Sequence, residues 1–456
     1  MRMPEAIVQK IDALRWRANR LRCMSSTEIA FRIGREFKTE AERLGFGGLR
    51  EAPPPDLRTP GAAWLQVPDD VDPAPYLAAG DRIAAGRMDV FALRDIDLGS
   101  PPRWNRDPKT GTEAPLSFGK RLDYRDMRLV GDIKYLWEPN RHLHLVTLAQ
   151  AYALSGRQHY LGALRRQLDS WFAACPPGRG PNWSSALEPA LRLINWAAAW
   201  QLAGGLASPL FEHESGAAFR DRWLQSIYHH AQFVRGHFSL HSSANNHLIG
   251  EAAGLFVAAV TWPWWPRAAA WRTASRAILE REALMQNAPD GVNREQAVSY
   301  QQFVLDLLLL PLLAGRAAGI PFSARYARRL EAMIGYIAAI MDVGGNLPMF
   351  GDADDGLAIR LGAGCPYRSL LATGAVMFRR ADLKAKAGPL DDKTRWLLGP
   401  EAAAQYAALA APASPLPARR AFPDGGYYVI GSDFETEREI RLVVDAGPLG
   451  YRSIAA

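Results

Sequence analysis

From about residue 138 to residue 342 the chain repeats one pattern, and that pattern limits what it can fold into. "RHLHLVTLAQAYALSG" sets Leu145, Leu148, Ala149 and Tyr152 at helical spacing and stops at Gly156, a residue suited to a left-handed C-cap. Comparable segments follow at about 158–174, 185–203, 217–236, 243–260, 265–287, 294–317 and 322–342. Short loops join them, so consecutive helices are expected to pack antiparallel. Such a succession of helical hairpins fits an α/α solenoid or toroid, an incomplete barrel, better than a small bundle. The segments are too dissimilar for any named repeat family.

The flanks read differently. Residues 1–60 suggest one or two amphipathic helices ending in the breaker "REAPPPDLRTPG", and 61–130, punctuated by Pro and Gly, read as mostly loops. Near residue 410 a Pro/Ala stretch, "AAPASPLPARR", reads as a linker. After it "GGYYVIGS" and "REIRLVVDAG" read as paired strands. The expected division is therefore an N-terminal lead-in at 1–130, a helical domain at 131–409, a linker at 410–421 and a β domain beginning at 422–456. A lone hairpin is marginal in water. These strands are accordingly expected to be the first hairpin of a β domain that continues beyond "YRSIAA".

Composition narrows the function. A net charge of +7 favours an anionic partner, and no helix-turn-helix, zinc-finger or RNA-binding signature accompanies it, so nucleic acid is not favoured. Fourteen tryptophans and fourteen tyrosines suit a carbohydrate cleft, although most such rings are expected in the core. Three scattered cysteines, Cys23, Cys175 and Cys365, make neither a disulfide framework nor a metal motif. The N-terminal stretch lacks a recognisable signal peptide, and "FVLDLLLLPLLAG" carries Asp306 and Pro311, so no membrane-spanning segment is expected. Compartment and oligomeric state stay open.

Five polar stretches interrupt the apolar pattern at helix ends, where the mouth of a toroid forms. "SSANNHLIGEAAGLF" opens a buried helix with Asn245, Asn246 and His247, and Glu251 lies one turn beyond His247. Capping accounts for one asparagine readily. "DGVNREQAVSYQQFVLDLL" reads as a turn at Asp290-Gly291, then a helix carrying Glu295, Gln296, Ser299, Tyr300 and Gln301. "WEPNRHLH" contributes Asn140, Arg141 and His142. In "NWSSALEPALRLINW", Ser185 and Glu188 fit a capping box, which discounts Glu188 as an acid. "FGDADDG" offers Asp352 and Asp354, but Gly356 and Ala363 stand where an EF-hand needs ligands.

Together with the terminal "FPDGGYYVIGS", these blocks resemble the heparinase II/III-like polysaccharide lyases over about residues 120–456. The resemblance implies a mainly α chain: an α/α toroid followed by the first strands of an antiparallel β-sandwich. It implies β-elimination on a uronic-acid-containing polysaccharide. Asn246 matches the asparagine that neutralises the uronate carboxylate, and Tyr300 matches the tyrosine that serves as acid and sometimes also as base. His247 is placed to contact substrate or assist as base. Arg141 and His142 match a block that helps bind the anionic sugar, with Asn140, Glu251, Gln296, Asp352 and Asp354 as further substrate contacts. Family members continue into a histidine-bearing strand that commonly supplies a base and a structural metal ligand. This sequence stops before that strand, so little lyase activity is expected of these 456 residues alone. No cofactor and no metal are expected within them.

Two other readings stay open. One is an inverting glycoside hydrolase on the same toroid, with Asp354 or Glu188 as acid and Asp352 as base. The other is a non-catalytic binder of acidic glycans.

Overall fold

The computed structural model describes residues 22–353, 355–410 and 420–448, together with Arg15 and Asn19. Asp354 and most of the expected linker lie outside the described residues.

Helix α1 (Ser26–Arg43) begins where the Ser25 hydroxyl accepts the Glu28 N–H, an N-cap that satisfies an otherwise free donor. Helix α2 (Ala74–Ala84) and a hairpin of β1 (Arg87–Val90) and β2 (Leu93–Asp97) follow, in a region whose sequence reads as loop. Tertiary contacts hold these short elements. Tyr76 of α2 donates to Asp392 and accepts from the Trp396 indole, while Tyr160 donates to Asp81. Segments this short depend on such packing rather than on their own propensity.

The helical array comprises α3 (Ile133–Asn140), α4 (Leu143–Ser155), α5 (Gln158–Ala174), α6 (Leu187–Leu202), α7 (His213–Gly236), α8 (Asn246–Thr261), α9 (Ala268–Met285), α10 (Val298–Ala317), α11 (Ala324–Ile340) and α12 (Pro366–Phe378). Helices α4, α6, α8 and α10 pack side by side as an inner row, and α5, α7, α9 and α11 flank them outside. The sequence accounts for this sorting. The inner helices carry apolar residues on every face, and a helix of that kind must be enclosed. The outer ones carry an apolar stripe and a charged face. Trp171, Trp183, Trp196, Trp223, Trp262 and Trp396 are all fully buried, so these rings build the core. Helix α10 is long and apolar enough to cross a membrane by composition, yet 94% of its apolar window is buried inside the protein.

Short helices α13 (Ala381–Ala387), α14 (Asp392–Leu398) and α15 (Glu401–Ala407) complete the helical part. The expected hairpin is present as β4 (Tyr427–Ser432) and β5 (Ile440–Asp445), and a short β3 (Ala421–Phe422) adds a third antiparallel strand. Strand alternation turns Tyr427 and Val429 onto the helices, where Phe422 meets Tyr336 at 5.0 Å and Tyr427 stacks on Phe350 at 5.1 Å. The opposite face leaves Tyr428, Ile430 and Leu442 exposed.

Candidate active site

At the start of α8 the two asparagines take different tasks. Asn245 is the N-cap: its side-chain oxygen accepts the His247 N–H at 3.1 Å, and its carbonyl accepts from Gln286. Asn246 is thereby left to make another contact. Its backbone N–H donates to one oxygen of Glu295 and its side-chain amide to the other, both at 2.8 Å. One amide proton is engaged in this way, and an asparagine amide carries two.

Glu295 itself sits in a tight turn. The helix expected from residue 294 starts at Val298, because Gln296 adopts a left-handed φ of 58° that no helix continues. The turn is anchored by Asn293, whose side-chain oxygen accepts the Glu295 N–H and whose amide donates to Asn287. Upstream, Gly291 has φ 98° and lies against the backbone of Ala332, where any Cβ would collide. Burial pushes the Glu295 carboxyl upward, the Asn246 bonds lower it and nearby Asp352 raises it.

The 350–353 loop is pinned to the same helix start. Val298 donates to the Phe350 carbonyl, Gly351 packs against Ala297, and the Ser299 hydroxyl donates to the Asp352 carbonyl at 2.5 Å. Asp352 is exposed, next to the first turn of α10. The hairpin reaches the site too, since Gly447 lies against the Gln296 amide and Gly425 donates to Asp290 at 3.0 Å.

Burial singles out two side chains. Every residue of α8 is buried except His247, and every residue of α10 before Arg316 is buried except Tyr300. Both lie in the first turns of adjacent inner helices, beside the Asn246–Glu295 pair. Of the residues expected from the sequence, Asn246, His247, Gln296, Tyr300 and Asp352 therefore share one end of the toroid. Asp354 lies outside the described residues.

Four expected substrate contacts are placed otherwise. Asn140 is enclosed, donating to the Trp104 and Leu136 carbonyls and accepting from the Trp171 indole. Arg141 is buried and holds Glu188 through two bonds of 2.9 and 3.0 Å. That pair also corrects the capping box, because Ala186 is the N-cap of α6 and the Glu188 carboxylate is spent on Arg141. His142 has no exposure. It accepts from the Trp196 indole at 2.8 Å among Trp104, Trp171 and Trp196, and burial holds its pKa well below the ordinary range. Glu251 is buried and accepts from the Ser239 N–H and hydroxyl at 2.6 and 2.7 Å, with burial pushing its carboxyl up to about 7. All four are enclosed because the apolar helices around them close over them; Asn140, Arg141 and Glu251 find internal partners, and His142 is bonded through Nδ1 only.

Glu295 is the residue whose part the sequence did not reveal. Its signal is its place in the turn just before Tyr300, but only the fold shows that it faces Asn246. Helix α1 braces the segment leading to Asn245. Arg32 donates to Ser242 and Ser243, Phe31 meets the His241 ring at 4.8 Å, and Lys38 takes the Gly236 carbonyl. Among the described residues, no three His, Cys, Asp or Glu side chains are grouped to hold a metal ion.

Known proteins share this fold. A heparin-sulfate lyase of Bacteroides stercoris is 26% identical over 266 residues, which span 53% of this chain and 38% of that protein. The solved heparan sulfate lyase of Pedobacter heparinus superposes with a TM-score of 0.53 at 20% identity, covering 92% of this chain and 56% of that one. A solved heparinase III gives 0.58 at 15% identity, covering 91% and 58%. At such identities the two structures show a common fold, the α/α toroid followed by an antiparallel sheet. The chain spans well under two thirds of each of these relatives. Residues 103–360, more than half of the sequence, match the family described as Heparinase II/III N-terminus, and this protein belongs to that family.

Proposed function

We propose that the protein serves a polysaccharide lyase reaction, β-elimination on a uronic-acid-containing polysaccharide, at the toroid end that holds Asn246, His247 and Tyr300. The observation that carries this reading is the selective exposure of His247 and Tyr300 beside an asparagine pre-positioned by Glu295. In elimination a base removes the C5 proton of the uronate. The C–H electron pair then forms the C4–C5 double bond while the C4–O bond breaks, and the departing oxygen takes a proton from an acid.

The uronate carboxylate must be neutralised for the C5 proton to become acidic. The second amide proton of Asn246 can donate to it and to the developing enolate without adding a competing charge. Holding the first proton on Glu295 fixes the amide plane, so the donor needs little reorganisation when charge develops. Tyr300 is assigned as acid to the leaving oxygen; as a phenolate it can also take the C5 proton, since a phenol oxygen donates and accepts. His247 contacts substrate or assists as base, and Gln296 and Asp352 contribute polar contacts around the sugar. The names of the relatives, a heparin-sulfate lyase and a heparan sulfate lyase, point to a sulfated glycosaminoglycan as substrate. The division into a lead-in at 1–130, a toroid domain at 131–409, a linker at 410–421 and a β domain from 422 belongs to the same proposal.

Incubation of a form that continues into the complete β domain with heparan sulfate tests it. Elimination yields a conjugated double bond that absorbs in the ultraviolet. New reducing ends without that absorbance would overturn the proposal in favour of a hydrolase. Glycan binding with no new chain ends would overturn it in favour of a binding protein.

A further inference from the structure

A second concave region is lined by none of Asn246, His247, Glu295 and Tyr300. It is a groove of about 630 Å³ between α1 and its following loop, the Pro177–Arg179 turn, the last turns of α7 and the start of α9. Lys38, Arg43, Arg50, Arg179, Arg235 and Arg267 line it, and Glu42 is the one carboxylate among the described lining residues. Glu42 already has a cation, with Lys38 at 3.6 Å. Arg43 is paired with Glu40, but Arg50, Arg179, Arg235 and Arg267 are exposed and have no carboxylate partner among the described residues. Scattered surface arginines are ordinary. Several guanidinium groups facing one concavity repel one another and focus a positive potential into it.

His237, on the groove wall 3.1 Å from Glu42, is held well below its ordinary pKa chiefly by burial. The C-terminal carbonyls of α7 would otherwise repel an anion, and Lys38 neutralises that end by taking the Gly236 carbonyl at 2.8 Å. The rim is stripped of side chains. Gly45, Gly47 and Gly178 have φ of 89°, 72° and 75°, and nothing stands within 4 Å of where their Cβ atoms would be. An extended ligand can therefore lie close to the backbone there.

We infer that this groove is a second binding site for an anionic oligosaccharide segment bearing sulfate or carboxylate groups, recognised by the arginines on its walls. The inference rests on the reading of the protein as acting on an acidic polysaccharide, and it adds a place for part of such a chain outside the catalytic end. Single-stranded nucleic acid fits less well. Such ligands need exposed rings for base stacking, and of the groove's rings Phe233 and Trp271 are each only 4% exposed while Phe118 and His229 are half-buried.

The test uses a fluorescent heparin octasaccharide, with inorganic sulfate and a dT12 oligonucleotide as competitors. The protein carries Tyr300→Phe, so that the probe is not consumed. Adding Arg179→Ala, Arg235→Ala and Arg267→Ala together should weaken octasaccharide binding at least tenfold. The slope of log affinity against log salt should fall by about 2–3, roughly one unit for each ionic contact removed. The three residues are exposed, so the fold should persist, and a triple Arg→Lys variant should recover part of the affinity. Unchanged octasaccharide binding in the alanine variant would overturn the inference. So would dT12 competing as well as unlabelled octasaccharide, or inorganic sulfate displacing the probe at equal charge concentration. The lyase reading fails separately, by absence of ultraviolet-absorbing product from a form without these substitutions that continues into the complete β domain.

Discussion

Asn246 and Glu295 grip each other twice, backbone N–H to one carboxylate oxygen and side-chain amide to the other, each at 2.8 Å. This contact ties the first residue of an inner helix to the turn before the next, so the asparagine's orientation depends on a residue remote in sequence. Glu295→Gln would replace one acceptor with a donor facing a donor. Leaving such a buried pair unmatched costs about 1–3 kcal/mol, so turnover should fall roughly tenfold to a hundredfold with Tyr300 intact. Steady-state kinetics on heparan sulfate, with a form that continues into the complete β domain, checks this. Unaltered kcat would mean that Glu295 does not position Asn246.

Tyr300→Phe deletes a proton donor and almost no volume. In a form that continues into the complete β domain, turnover should drop by about 10²–10⁴-fold, the usual contribution of general acid–base catalysis, while binding of a non-cleaved oligosaccharide changes less than about threefold. Fluorescence titration beside the ultraviolet assay separates the two. Asn246→Ala should lower turnover by about 10²–10³-fold, as loss of a single oxyanion donor does.

Arg141 gives the opposite expectation. Its guanidinium and Glu188 are both buried, and removing one partner strands the other charge. Arg141→Ala should destabilise the fold by about 3–5 kcal/mol, visible as a lowered denaturation midpoint. A substitution that weakened glycan binding yet left the midpoint unchanged would return Arg141 to the substrate.

Glu251 makes stability depend on pH. Burial raises its folded pKa to about 7, above the ordinary carboxyl value of 4.5. Between those values the folded state holds a proton that the unfolded state has released, so stability falls as pH rises through this window. Below 4.5 both states are protonated and the group contributes nothing to the slope. Glu251→Gln should flatten this part of the stability–pH curve. Thermal denaturation from pH 4 to pH 8 checks it, and an unchanged curve would place the dependence elsewhere.

Several features were open to reading along the chain, because local physics dictates them. Apolar residues on every face of 246–261 and 298–317 required enclosed helices, and Gly156 takes the left-handed C-cap expected of it. Alternation in "GGYYVIGS" gave a strand with Tyr427 and Val429 inward. Helix α2 and the β1–β2 hairpin escaped notice because partners distant in sequence, such as Trp396, stabilise them.

The sequence by itself determined the helical succession, the terminal strands and the polar blocks at the helix ends. A helix or strand follows from residue spacing within a dozen positions, and that information is local. Only the tertiary structure decided which polar residues stay accessible. Asn140, Arg141, His142 and Glu251 have the same chemistry as site residues, but neighbouring helices bury them against internal partners. His247 and Tyr300 escape burial at the open end of the inner row, and Glu295 reaches Asn246 only once α8 and α10 lie side by side. Burial and pairing are properties of the packed array, set by elements far apart in the chain, so residue type and spacing could propose the site without selecting its members.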